Sequence, residues 1–367
     1  RGGMQWLVLS TLAALASVGE AWESDARLLP VAPPNVGGCH LAGGDGRGPG
    51  SPRFRVSMAT IVNNEGRWMP EWVLFHRLLG FEHFYVYDDA STDDTRDVVR
   101  AFGELGWATL HASVPRLQRD LNIRVPAHVH FTPQFVIVQH AARTYAHETE
   151  WLAFFDIDEF VLPTSAESWC VGAYLAARPK RQGVLRLQGA LFLPNATDHR
   201  QLLRSRLLID TASKMLPIGK LEHKDRVPLH KNFARPVAIA NIDHSGIHAM
   251  RPDPAHTIRL LKDKDELIFA HFRYRTMSDF EAKKHKPYTG HVNKAEVFAR
   301  LTAALDEYLK QGIEIRPSHP IHRYQPTVRG FYATFQAWYV HPPPRPPLAI
   351  PAAFGRAEVA ERIPSSA

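Results

Sequence analysis

Apolar residues along this chain keep two alternating periods. Phe54, Val56 and Met58 alternate with polar neighbours before Ile61-Val62, the period-two pattern of a strand. Pro70 then stands where a helix can open. Trp72, Phe75 and Leu79 follow at helical spacing, and Gly80 supplies the stop. Phe84-Tyr85-Val86-Tyr87 is a β-rich run, and Val98, Val99 and Phe102 mark the inner face of a second helix. Trp107 to Leu110 reads as the next strand, and Phe135, Val138, Ala142 and Tyr145 as another helix. Trp151 to Phe155 is a fully apolar strand that runs straight into Asp156-Ile157-Asp158-Glu159. This βαβαβ series predicts an α/β fold with a mostly parallel sheet, right-handed crossovers and flanking helices.

Both ends depart from that pattern. Met4 to Val18 is uncharged and mostly apolar, yet shorter than the about 20 residues a bilayer span needs. Small residues follow at Gly19 and Ala21, so 1–21 is expected to be a signal peptide or a short signal-anchor giving membrane attachment. Residues 22–52 are Gly/Pro-rich and read as a flexible stem. The expected single catalytic domain is 53–325, with a Pro/Ala-rich tail over 326–367 that contains HPPPRPP from His341. Asn195-Ala196-Thr197 is an N-glycosylation acceptor if the chain enters a lumen.

Composition narrows the chemistry a little. Hydrophobic residues make up 45% and charged residues 22%, enough for a sizeable core. The net charge of +7 suits anionic ligands such as nucleotide diphosphates, and no long Lys/Arg run points to nucleic acid. Two cysteines, Cys39 and Cys170, exclude a disulfide framework and a multi-cysteine zinc site. One bridge between them is not the expectation, because Cys39 lies in the Gly/Pro-rich stretch.

Ligands of parallel α/β sheets bind beyond the carboxyl ends of the strands. Two acidic clusters fall there. Asp156 and Asp158, at positions i and i+2 after an apolar strand, suit a hard divalent cation, Mn²⁺ or Mg²⁺, that can hold a diphosphate and neutralise it as it leaves. Asp88-Asp89 follow the Tyr85 strand, where a carboxylate can accept from a uracil N–H or ribose hydroxyls, while Ser91 and Thr92 can cap the next helix. Asn63, Asn64 and Glu65 follow the first strand and line either a nucleoside pocket or an ordinary turn.

In that order the blocks resemble glycosyltransferase family 92 and related family-2-like GT-A transferases. They are an N-E pair after the first strand, an E-W-x-x-F-H-x-x-L-G helix, a Y-x-Y-D-x-x-S-T-D loop and a D-I-D-E-F segment. Lys231-Asn232, Arg235-Pro236, Gly246-Ile247-His248 and His271-Phe272-Arg273-Tyr274-Arg275 fit as later blocks, with Ser278 and Glu281 as a capping box. The likeness runs from about Phe54 to Gly290. It implies a Rossmann-like GT-A fold, a UDP-sugar donor (often UDP-galactose), a glycan acceptor, Mn²⁺, inversion at the anomeric carbon and a Golgi setting. It also implies that Asp88 contacts uracil and that Asp156 and Asp158 are the D-x-D pair. His248, or alternatively His271, completes the metal site, and Lys231 meets the diphosphate. The family's tryptophan-and-glycine block is replaced here by LRLQGALFLPNATDHRQLL, which leaves the acceptor open.

Inversion needs a base to deprotonate the acceptor hydroxyl, and Glu222, Asp210 and Asp243 are the candidates. A haloacid-dehalogenase-type phosphatase also places D-x-D after a strand. It wants Thr or Val two places beyond the second Asp, where this chain has Phe160, and it wants the aspartates on the first strand. The competing non-enzyme reading is a nucleotide-sugar- or glycan-binding module of the same fold.

Overall fold

The computed structural model describes residues 50–112, 114–120, 122–125, 132–164, 170–194, 207–216, 230–239, 247–248, 250–261, 266–273, 275, 308, 310–316 and 319–340. The expected leader, most of the expected stem, Asn195, Glu222, Asp243, Ser278, Glu281 and the segment from His341 lie outside the described residues. The chain divides into a unit of residues 27–335 and a second of residues 1–26 and 336–367; only 336–340 of the second are described. The sheet belongs to the first unit.

The expected series forms. β1 (Phe54–Val62) leads to α1 (Met69–Leu78), β2 (His83–Asp88), α2 (Thr95–Glu104), β3 (Ala108–Ala112), α3 (Val114–Asp120), α4 (Thr132–Thr144) and β4 (Thr149–Phe154). Pro70 sits in the first turn of α1, where its missing N–H costs nothing. Beyond the helix Gly80 takes φ +94, a left-handed conformation that a side chain resists. β3, β2, β1 and β4 are all parallel neighbours, with Val62 level with Asp88 and Asp88 level with Ala112. The inner strands β2 and β4 are buried almost throughout, so they read as near-continuous apolar runs, while β1 keeps polar Ser57 and Thr60 buried among its apolar residues. Tyr85, Tyr87, Leu152 and Phe154 meet Phe135, Val138 and Ala142 of α4 in one buried cluster.

The sheet then changes character. β5 (Glu159–Pro163) follows the D-x-D loop, then α5 (Val171–Ala176), β6 (Gln182–Pro194), a 3-10 turn (Leu208–Asp210), β7 (Ala212–Leu216), β8 (His230–Ala234) and α6 (Pro236–Ile239). β9 (Thr257–Leu261), β10 (Leu267–His271), β11 (Ile313–Glu314) and α7 (Pro320–Val340) close the order. The main path reads β11-β7-β6-β8-β4-β1-β2-β3. β8 runs antiparallel to both β4 and β6, so the parallel run ends at β4. β10 pairs antiparallel with β5, setting His271 opposite Glu159. The stretch LRLQGALFLP lies in β6, a strand long enough to pair with β8 and β9 in one half and with β10 and β7 in the other.

Two expectations change. The boundary at 325/326 falls inside α7, which continues through Pro326. The apolar face of α7 outweighs the proline: Tyr324 meets Phe75 of α1 edge-on, Phe335 stacks on Phe102 of α2 at 4.4 Å, and Val328 is fully buried. The second concerns Cys170, which is disulfide-bonded; Cys39 is the only other cysteine in the sequence. No helix among the described residues is long and apolar enough to cross a membrane.

Candidate active site

Three chain segments meet at the carboxyl edge of the parallel strands. The turn after β1 and the loop after β2 are laced together. Asn64 Oδ1 accepts from the backbone N–H of Thr92 at 2.7 Å and of Asp93 at 3.2 Å. In return Asn64 N–H donates to Ser91 Oγ, Glu65 N–H to Thr95 Oγ1 and Gly66 N–H to Asp93 Oδ2. Asn64 and Ala90 both adopt positive φ, +56 and +59, so the lacing holds two residues in a conformation that non-glycine residues resist. The helix that follows is approached by Asp93, whose Oδ1 accepts from Thr95 N–H, rather than by the expected Ser91 or Thr92.

Asp88 is the residue expected at the uracil. It is fully buried, and Arg96 of α2 grips its Oδ2 through Nε at 2.7 Å and Nη2 at 2.6 Å. Ser91 N–H supplies its Oδ1. With both oxygens engaged, Asp88 anchors the loop. Asp89, next to it, is only part-buried and has no ion pair among the described residues. Burial first, and then Asp88, push its carboxyl above the usual range. Asn63 serves this corner too, its Nδ2 donating to the Asp89 carbonyl at 2.5 Å.

The D-x-D loop is assembled from far along the chain. Asp156 lies two residues past β4, and its backbone N–H donates to Glu159 Oε2. Lys231 of β8, wholly buried, places its ammonium 2.7 Å from both Asp156 Oδ2 and Glu159 Oε2. Burial opposes that charge, but the two carboxylates outweigh it and hold Lys231 above its usual range. Lys231, expected at the diphosphate, pairs with the loop's own acids. Burial pushes Glu159 up to about 8 against the pull of Lys231. Arg275 reaches Asp158 at 3.7 Å and also pairs with Glu65, so one guanidinium ties the D-x-D loop to the turn after β1.

Of the two candidate histidines, His271 stands against the D-x-D pair. Its Nε2 is 3.8 Å from Asp158 Oδ1, and the backbone N–H of Phe272 donates to the Asp158 carbonyl. His248 donates its Nδ1–H to the His230 carbonyl at 3.1 Å and forms no ion pair with either aspartate. Burial holds both imidazoles low, His271 at about 3 and His248 at about 4, and so in the neutral form that ligates metals. No three acidic, imidazole or thiol groups among the described residues converge at metal-binding distance. The donor chemistry of Asp158 and His271, with the half-exposed Asp156 beside them, nonetheless fits a hard divalent cation.

Helix α1 explains the E-W-x-x-F-H block. Trp72 Nε1 donates to the Glu159 carbonyl at 2.9 Å, and His76 Nε2 accepts from Val161 N–H. Both bonds fix the strand that begins at Glu159. Glu71, one residue earlier, accepts from Leu208 N–H and Ile209 N–H, and burial lifts its carboxyl to about 8. The 3-10 turn held this way carries Asp210, whose two oxygens pair with Arg329 of α7 at 2.8 and 2.9 Å. Glu71, Arg96 and Arg275 do not stand out as site residues in the sequence. Arg275 bonds Glu65 across 210 positions, a spacing that no local pattern reveals.

A model of glycosyltransferase family 92 matches residues 53–307. A family 92 protein of Ricinus communis is 22% identical over 65% of this chain and 38% of its own length. A galactan β-1,4-galactosyltransferase of Arabidopsis thaliana is 31% identical over 25% of this chain and 17% of its own. The chain thus spans less than half the length of these curated relatives. The solved structure of S. aureus TarS 1–349 in complex with UDP-GlcNAc is 15% identical, covering 77% of this chain and 81% of that one, with a TM-score of 0.35. The matched region takes in both acidic loops, Lys231, His271 and Arg275, and the chain belongs to glycosyltransferase family 92.

Proposed function

We propose that this chain transfers a hexose, galactose, from a UDP-sugar to a glycan acceptor, using Mn²⁺ or Mg²⁺ and inverting the anomeric centre. The observation that carries this reading is the placement of Asp156 and Asp158 at the end of β4, beside the interlocked loops that end β1 and β2. Asp158 and His271, with Asp156, would hold the cation, which supplies positive charge to the departing diphosphate. Asp89 takes the nucleoside contact first expected of Asp88, because its carboxylate is the one left accessible. Lys231 and Arg275 keep the acidic cluster together before the donor arrives. Glu222 and Asp243 remain the candidate bases, since Asp210 is occupied by Arg329. Galactose is favoured by the activity for which the Arabidopsis relative is named. A disulfide at Cys170 favours an oxidising compartment, consistent with work in the secretory pathway, at a Golgi membrane or in its lumen.

The test is turnover of a UDP-sugar panel with Mn²⁺ by the intact chain and by Asp158→Ala. Manganese-dependent use of UDP-galactose is expected, reduced at least about 100-fold by the substitution. UDP binding without transfer to any acceptor would leave the binding-module reading. A product of retained configuration, seen by NMR, sinks the inverting mechanism.

A further inference from the structure

Two strands past the D-x-D strand lies a group of basic side chains that donor binding does not use. Arg186 on β6 is level with Asn232 on β8, which is level with Phe154 on β4. Its part-buried guanidinium is held by neutral acceptors alone. Nε donates to Asn232 Oδ1 at 3.1 Å and Nη2 to the Met250 carbonyl at 2.6 Å. Arg251 follows Met250 in the chain, is exposed, and is the charged neighbour that bears on Arg186. His230 sits two positions before Asn232 on the same face of β8, and Arg186 bears on it in turn. None of the three has an acidic partner among the described residues. Guanidinium groups gathered this way repel each other, and Arg186 also gives up hydration. A bound anion removes both costs.

Their place across the sheet says which anion. The order is β3, β2, β1, β4, β8, β6. The nucleoside loops end β1 and β2, and the D-x-D pair ends β4. With neighbouring strands about 4.8 Å apart, β6 lies roughly 10 Å past the D-x-D strand, away from the nucleoside loops. A nucleotide-sugar laid across these strand ends runs base, diphosphate, sugar in that direction, and the acceptor comes next. His248 spans the gap, sensing Lys231 and Asp156 as well as His230.

We infer that Arg186, Arg251 and His230 form an anion subsite on the acceptor side, and that the acceptor is an acidic glycan bearing a carboxylate close to the hydroxyl that receives the sugar. This rests on the transferase reading above. The donor diphosphate is the other anion within reach, and the test separates the two sources.

The experiment is calorimetric titration of the whole chain with a galacturonate trisaccharide, with the neutral galactose trisaccharide and with UDP-galactose plus Mn²⁺, in wild type, Arg251→Glu and Arg186→Gln. Thermal melts report folding, and Arg251 is exposed, so its variant keeps the test valid if Arg186→Gln unfolds. The uronate trimer is expected to bind at least about ten-fold tighter than the neutral one, with the preference lost in each folded variant. Equal affinity for the two trimers in wild type overturns the inference, as does a preference that survives Arg251→Glu. A loss of affinity centred on UDP-galactose instead assigns the cations to the diphosphate and overturns the acceptor assignment. Intact uronate preference with no UDP-galactose binding in wild type sinks the galactose donor of the reading above and leaves the anion subsite standing.

Discussion

The two acidic loops look alike as text, yet they are stabilised in opposite ways. DDASTDD is satisfied almost wholly at home and by the turn beside it. Backbone N–H groups and hydroxyls of residues 64 to 95 take its carboxylates and close its turns, and Arg96 lies a few residues on. DIDE gets its charge balance from elsewhere, with Lys231 arriving 75 positions later and Arg275 later still. The first loop is a prefolded shelf. The second is a charged junction that exists only when β8 and the segment after β10 have docked. An acidic run at a strand end therefore says where a site lies, while its neighbours decide whether it anchors structure or meets a ligand.

The largest blow to that contrast is Lys231→Met. Asp156 and Glu159 lose their shared cation at a buried position, and stability is expected to fall by about 3 kcal/mol. Urea unfolding measures it; an unchanged midpoint would show that the junction does not depend on Lys231. Asp88→Asn and Asp89→Asn sharpen the other loop. The first should lower stability by about 1–3 kcal/mol, because it leaves Arg96 without its carboxylate. The second should leave the melting temperature alone and raise the donor KM several-fold. The reverse pattern would return the nucleoside contact to Asp88.

Acid adds a milder probe. His76 is neutral and fully buried, its folded pKa pushed by burial down to about 3 from 6.5. Between those values the unfolded chain binds the extra proton, so the stability His76 contributes is full above pH 6.5 and is lost as pH falls towards 3. His76→Gln should flatten that part of the stability–pH curve, measured by denaturant midpoints from pH 7 to 4. The smallest effect belongs to Arg329→Ala. Its side chain is 58% exposed, so stability should change by under about 1 kcal/mol. If activity rises as Asp210 is freed, Asp210 returns as a base candidate.

Much of the parallel half was legible because its inner strands are buried almost throughout and its helices keep one apolar stripe. Gly80, Pro70 and the apolar run into Asp156 each have a local cause that shows in sequence. The antiparallel half was not, since β6 changes partners midway along its length and Lys231 looks like any strand lysine until its neighbours are known. Helix α7 was illegible for a related reason: a proline normally stops a helix, but Tyr324, Val328 and Phe335 give α7 a tertiary seat that overrides Pro326. The imidazole nearest the D-x-D pair followed from strand pairing, as β10 lies beside β5 and sets His271 opposite Glu159.

The bridge from Glu65 through Arg275 to Asp158 bears on how the protein is made. On the ribosome the shelf formed by the turns after β1 and β2 can close once residues up to about Thr95 have emerged, because its bonds lie within that span. Asp156 and Asp158 emerge well before either of their cations. For that interval the nascent chain carries a cluster of like charges at a strand end, which discourages premature pairing of β4 with another chain. The order of synthesis thereby keeps this strand edge open until the last segment that completes it has been translated.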